Sequence, residues 1–189
     1  EYEKNPTETI GNSNLTQKIF HFLLRPEMRA TRELVTHYLF AQRKMKPRVL
    51  NQIVSATQQL LPLAEDRGVN LAFENHGGFS SKPENLIFLI KKIDHKQVGL
   101  CPDFGNFLPF QDRYKSLEKM LPYAKAIHAK SYKFDPDGNE TTIDYEKCFQ
   151  LLHKARYSGP IVVEYEGTGE AVDGANQTLA LIRKYLKTK

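Results

Sequence analysis

The sequence is poor in cysteine, with Cys101 and Cys148 the only two among 189 residues. Neither has a partner at zinc-ribbon spacing, and a single pair makes a poor disulfide framework, so both scaffold classes are set aside. The expectation is two buried free thiols in a reducing compartment. No run of about 18 uncharged apolar residues occurs, which argues against a membrane-spanning helix. The opening Glu1-Tyr2-Glu3-Lys4 lacks the basic and apolar regions of a secretion signal, so a cytoplasmic location is expected.

What is present is ordinary for a soluble globular protein, with 40% hydrophobic and 26% charged residues. The length favours one core over two domains. A net charge of +5 and a pI near 9.1 would suit a phosphorylated or nucleic-acid ligand, but such charge is also common on solvated surfaces, the reading preferred here.

Residues 1–16 are polar and without periodicity, and read as a flexible leading segment ahead of one domain over 17–189. Lys18 to Leu24 has strand character, closed by Pro26, and Glu27 to Arg43 repeats apolar residues at helical spacing. Pro47 suits the first position of a helix that Gly68 would stop. Val69 to Glu74 reads as a strand, Ser81-Lys82-Pro83-Glu84 as a capping box launching a helix over Asn85 to Ile93, and Val98 to Asp103 as the next strand. A helical stripe around Leu117 to Ala124 precedes a strand at Ala126 to Tyr132, and a turn-rich loop spans Asp135 to Asn139. Asp144 is placed to cap a helix over Tyr145 to Arg156, Ile161 to Gly167 is the last strand, and a closing helix contains Leu179, Ile182 and Leu186.

Glu74 to Asp103 is 29 residues, Asp103 to His128 is 25 and His128 to Glu164 is 36, spacings that fit successive βα units. Alternation of this kind implies a parallel sheet covered by helices, either closed as a barrel or open and doubly wound.

Side chains on a strand alternate between two faces. Glu74 shares its face with Ala72, Asp103 with Cys101 and Gly99, His128 with Ala126, and Glu164 with Val162. The bulkier residues fall on the opposite faces, so each strand offers small residues and one metal-competent group to the same side. Three carboxylates and one imidazole suit a single divalent cation such as Mn²⁺, Co²⁺ or Mg²⁺, with Zn²⁺ also admissible. A cation would also relieve the repulsion of three converging carboxylates.

Glu74-Asn75-His76-Gly77-Gly78, Asp103-Phe104-Gly105-Asn106, His128-Ala129-Lys130 and Glu164-Tyr165-Glu166-Gly167 resemble the last four strand-end motifs of the xylose isomerase-like TIM barrels. That superfamily comprises sugar phosphate isomerases/epimerases and endonuclease IV. The resemblance covers roughly Pro47 to the C-terminus. It implies a (β/α)8 TIM-barrel fold, with about five of the eight strands in this chain, counting Lys18 to Leu24.

Carried over by position, Glu74, Asp103, His128 and Glu164 are the implied metal ligands. His76, Asn106, Lys130 and Glu166 are the implied surroundings of the substrate. The implied reaction is a metal-dependent isomerisation or epimerisation of a ketose/aldose or polyol-derived ketone, by proton transfer through an enediolate. Glu74 and Glu164 would serve as base and acid, with Lys130 offsetting negative charge. The implied partner is a small sugar or sugar-derived molecule, and a homo-oligomer is compatible. Where related ketose epimerases carry a further Glu six residues after the first ligand, this chain has Ser80.

Two other readings remain. One is an endonuclease IV-like phosphodiesterase acting on apurinic sites, which needs several metals and more histidines. Asn106 stands where such enzymes place a His, and no Asp-x-His pair follows Lys130, so a nucleic-acid partner is not expected. The other is a truncated, non-catalytic barrel fragment.

Overall fold

The computed structural model describes residues 47–108 and 111–187. The expected leading segment, the strand at Lys18 to Leu24 and the helix at Glu27 to Arg43 lie outside the described residues.

Helix α1 (Pro47–Arg67) begins at the expected proline. It ends because Gly68 takes φ +62°, a conformation that glycine adopts without a Cβ penalty. Gly68 N–H then donates to the Glu65 carbonyl (3.1 Å) and Val69 N–H to that of Ala64 (2.9 Å), satisfying two carbonyls that the last turn leaves open.

Strand β1 (Leu71–Glu74) follows, then a 3-10 turn at Gly78–Ser81 and helix α2 (Pro83–Ile93). The expected capping box does not form. Pro83 occupies the first turn, which moves the cap to Lys82, whose side chain does not cap the helix, while Ser81 Oγ is buried without a hydrogen-bond partner among the described residues. Glu84 instead reaches Lys119 Nζ at 2.5 Å.

Strand β2 (Val98–Cys101), helix α3 (Arg113–Met120), strand β3 (Ile127–Ser131), helix α4 (Tyr145–Lys154), strand β4 (Ile161–Tyr165) and helix α5 (Ala171–Lys187) complete the described order. Asp144 caps α4 as expected, accepting from Lys147 N–H at 2.9 Å, and Asp112 caps α3 in the same way at 3.1 Å.

The strands form two parallel pairs. β1 pairs with β2 from Leu71 opposite Val98 to Glu74 opposite Cys101, and β3 with β4 from Ile127 opposite Ile161 to Ser131 opposite Tyr165. Isolated parallel bridges, Leu100 to Ala124 and Asp103 to His128, join β2 to β3, so the four strands follow one another in chain order.

The helix-facing side holds the core. Leu86, Leu89, Leu100, Leu117, Met120, Ile127, Ala129, Phe149 and Leu152 are all buried in it, and Phe104 packs edge-on against Tyr145 and Phe149. The opposite face is barer, with Ala72 exposed and Val162 44% exposed. This is the expected division of bulky from small residues between the two faces, and it leaves the chemistry-bearing side chains on the open one.

Candidate metal centre

Glu74, Asp103, His128 and Glu164 converge at the C-terminal ends of the strands. One ligand atom from each lies within 4.8 Å of the others, close enough for these four to hold one metal ion. Sites of TIM barrels are built at this end, because there the strand ends and following loops project side chains into a common space.

Glu74 is set by two neighbours. Its Oε1 accepts from Asn106 Nδ2 at 3.0 Å and lies 3.3 Å from His128 Nδ1. Asp103 is held more firmly. Its Oδ1 accepts from the backbone N–H groups of Gly105 and Asn106, both at 2.7 Å, which turns Oδ2 toward the cluster.

The backbone of Asp103 is gripped by a residue that sequence reasoning missed. Asn75 is fully buried. Its Oδ1 accepts from Asp103 N–H at 2.7 Å, while its Nδ2 donates to the carbonyls of Asp103 (3.1 Å) and Asn106 (3.2 Å). The side-chain amide thus continues the β1–β2 ladder beyond the point where the main chains part. The available signal was a polar residue at a position where alternation calls for an apolar one.

On the other side, Lys130 is fully buried and extends its ammonium among carboxylates. Nζ lies 2.6 Å from Glu164 Oε1, 2.8 Å from Glu166 Oε1 and 3.8 Å from Asp103 Oδ2. Gly105 makes room for its stem, since a Cβ there would meet Lys130 Cγ at 2.5 Å and the Tyr132 hydroxyl at 2.7 Å.

Of the four residues expected around a substrate, Asn106, Lys130 and Glu166 adjoin the cluster. His76 is exposed on the loop after β1, where its backbone N–H donates to Ser80 Oγ at 2.9 Å. A cavity of about 610 Å³, lined in part by Tyr132, Phe134, Tyr165 and Glu166, shares its Glu166 wall with the cluster. Glu140 shapes one side of it by accepting from the N–H groups of Tyr132 (3.2 Å) and Lys133 (3.3 Å).

The electrostatics are unbalanced. Four carboxylates, counting Glu166, face one ammonium. Asp103 Oδ2 and Glu164 Oε2 are both buried without a hydrogen-bond partner among the described residues. Burial, and then the neighbouring Glu164 carboxyl, push Asp103 up to about 8, against the pull of Lys130. Burial also opposes ionisation of Glu164, but its hydrogen bond from Lys130 and the neighbouring Asp103 carboxyl outweigh that and hold it below the ordinary range. Burial disfavours the Lys130 ammonium too, and its bonds to Glu164 and Glu166 overcome the penalty, so it stays protonated well above the usual lysine range. Burial, reinforced by Glu74, Asp103 and Glu164, pushes the Cys101 thiol up to about 12, leaving it inert. Two orphaned carboxylate oxygens beside an imidazole fit a hard or borderline cation.

Residues 23–185 match the sequence model of the xylose isomerase-like TIM barrel family. The chain belongs to this family. An uncharacterized protein of Methanocaldococcus jannaschii is 24% identical over 150 residues, covering 74% of this chain and 50% of that protein. The structure of an L-ribulose 3-epimerase superposes with a TM-score of 0.65 at 15% identity, covering 77% of this chain and 57% of the other. A xylose isomerase-like TIM barrel protein from Mycobacterium smegmatis, solved in complex with magnesium, gives 0.58 at 23% identity, covering 76% and 54%. The chain therefore spans about half the length of these relatives, and its four described strands form part of a TIM barrel.

No described helix is long and apolar enough to cross a membrane.

Proposed function

We propose that this chain carries the metal centre of a divalent-metal-dependent sugar isomerase/epimerase. The observation that carries the reading is the convergence of Glu74, Asp103, His128 and Glu164 from successive strands, with two buried carboxylate oxygens that make no hydrogen bond among the described residues. The structural likeness to an L-ribulose 3-epimerase and to a magnesium-bound family member supports it.

The four residues would hold one cation, with Mn²⁺, Co²⁺ or Mg²⁺ suiting the donor set best and Zn²⁺ admissible. A cation held there would supply Lewis-acid polarisation of adjacent carbonyl and hydroxyl oxygens of a ketose, aldose or polyol-derived ketone, the chemistry that an enediolate route needs. The chain's own residues do the rest. Glu74 and Glu164 remove and return the carbon-bound proton, each having a carboxylate oxygen in the cluster. Asn106 and Glu166 orient substrate hydroxyls, His76 closes from the rim, and Lys130 offsets the charge that develops.

The test uses the purified chain loaded with Mn²⁺ and incubated in D₂O with D-fructose, D-tagatose or L-ribulose. Deuterium incorporation beside the carbonyl, abolished by Glu74→Gln or Glu164→Gln, is expected. Cation binding without incorporation into any ketose would favour a non-catalytic fragment, and cleavage of apurinic-site DNA would favour the phosphodiesterase; either result overturns the reading.

A further inference from the structure

We propose that Lys130 is a built-in second cation that holds the site to one exchangeable divalent ion, an inference that rests on the metal-dependent reading above.

The geometry around Lys130 Nζ is that of an ion position. Three carboxylates approach it, Glu164 at 2.6 Å, Glu166 at 2.8 Å and Asp103 at 3.8 Å, and the side chain is wholly buried. Glu164 divides its two oxygens. Oε1 belongs to the ammonium, while Oε2, without a hydrogen-bond partner, lies 3.0 Å from His128 Nδ1 among the four converging ligands. Asp103 is divided likewise, with Oδ1 engaged by backbone N–H groups and Oδ2 left between the ammonium and the cluster.

Carboxylates shared between two positive centres are what a two-metal site requires, with the metals about 3.5–4 Å apart. Here one centre is covalently part of the chain. The position cannot also admit a divalent ion, because Nζ already occupies the space between Glu164 and Glu166, and two cations at such separation repel strongly in a partly buried site. Gly105 is part of the device, since any side chain there would collide with the lysine stem. An ammonium is also a fixed charge. It cannot be diluted away, so one of the two positive centres persists whatever the metal supply.

The experiment is a Mn²⁺ titration of the whole chain, read by bound-metal analysis and electron paramagnetic resonance. Wild type is expected to bind one Mn²⁺ with a mononuclear spectrum, and Lys130→Arg, which keeps the charge, also one. Lys130→Ala is expected to bind two, with the spectrum of an exchange-coupled pair. Two ions in wild type, or one in Lys130→Ala, overturns the proposal while leaving the metal-dependent reading intact. No ion in wild type removes both. Should Lys130→Ala fail to fold, Lys130→Met preserves most of the stem and should bind its first ion at least about tenfold more tightly, because the competing charge is gone. Unchanged affinity overturns the proposal.

Discussion

The two strand pairs deliver two candidate ligands each and hold them by opposite means. Glu74 and Asp103, at the ends of β1 and β2, are fixed by neutral amides: Asn75 grips the Asp103 backbone and Asn106 reaches Glu74. On β3 and β4, His128 and Glu164 sit beside a second layer, Lys130 and Glu166, and ion pairs set the arrangement. The reason lies in how the chain leaves each pair. After β2 it turns tightly through Phe104-Gly105-Asn106, so backbone N–H groups are at hand to fix a carboxylate. Beyond His128 and Glu164, β3 and β4 pair for further residues, with Lys130 opposite Glu164, so the next inward side chains are themselves charged and must be balanced. The first pair is therefore preset by geometry, whereas the second depends on its charges.

The largest way to break this contrast is Asn75→Ala. It strips partners from Asp103 N–H, Asp103 C=O and Asn106 C=O together. Buried polar groups left unpaired cost roughly 1–3 kcal/mol each, so a loss of about 3–4 kcal/mol in urea unfolding is expected. Asn75→Asp should not rescue it, because a carboxylate can accept from Asp103 N–H but cannot donate to two carbonyls. A loss below about 1 kcal/mol would mean that the turn after β2 holds itself and that the amide is incidental.

Asn75 also marks the limit of what the sequence makes legible. The convergence of Glu74, Asp103, His128 and Glu164 was readable because strand alternation has a period of two and each apolar run leads into a carboxylate or imidazole group on the same face. Asn75 was not, since its importance comes from a turn 28 residues away that only the β1–β2 register brings alongside. Lys130 could be assigned to the inward face by the same alternation, but not to full burial, which depends on the gap at Gly105 and on the carboxylates of β4. The apparent capping box at Ser81 fits the residue pattern and fails because Pro83, fixed in φ, decides where α2 begins. The strand order, by contrast, follows almost directly from the regular spacing of the βα units.

The second way to test the contrast is to remove or supply the counter-charge. With Asp103 raised toward about 8 by burial, the folded chain without metal keeps a proton that the unfolded chain has lost above its ordinary carboxyl range. Folding stability should then fall as pH rises from about 5 to 8, the unfolded state binding fewer protons throughout that window. Glu164, shifted the other way, acts at lower pH, where it adds stability that is lost on acidification. A divalent ion at about a hundredfold above its Kd should add about 2.7 kcal/mol and flatten the pH slope, its apparent affinity rising with pH up to about 8. Thermal melts at pH 5.5 and 7.5, with Mn²⁺ or with EDTA, measure both effects. A slope of opposite sign without metal would show that Asp103 is ionised and balanced by Lys130, so that the first pair depends on charge as the second does.

The smallest effect distinguishes positioning from charge most cleanly. Asn106→Ala removes a single neutral hydrogen bond to Glu74, whose Oε1 retains the nearby His128 ring. Stability should change by about 1 kcal/mol or less. Metal affinity should fall by about tenfold, because a ligand whose orienting partner is lost must be ordered anew on each binding event. If the site relied on charge at both ends, deleting an uncharged donor would leave affinity untouched. If stability instead dropped by several kcal/mol, Glu74 would be under strain that Asn106 relieves, and the first strand pair would be as dependent on its local balance of charge as the second.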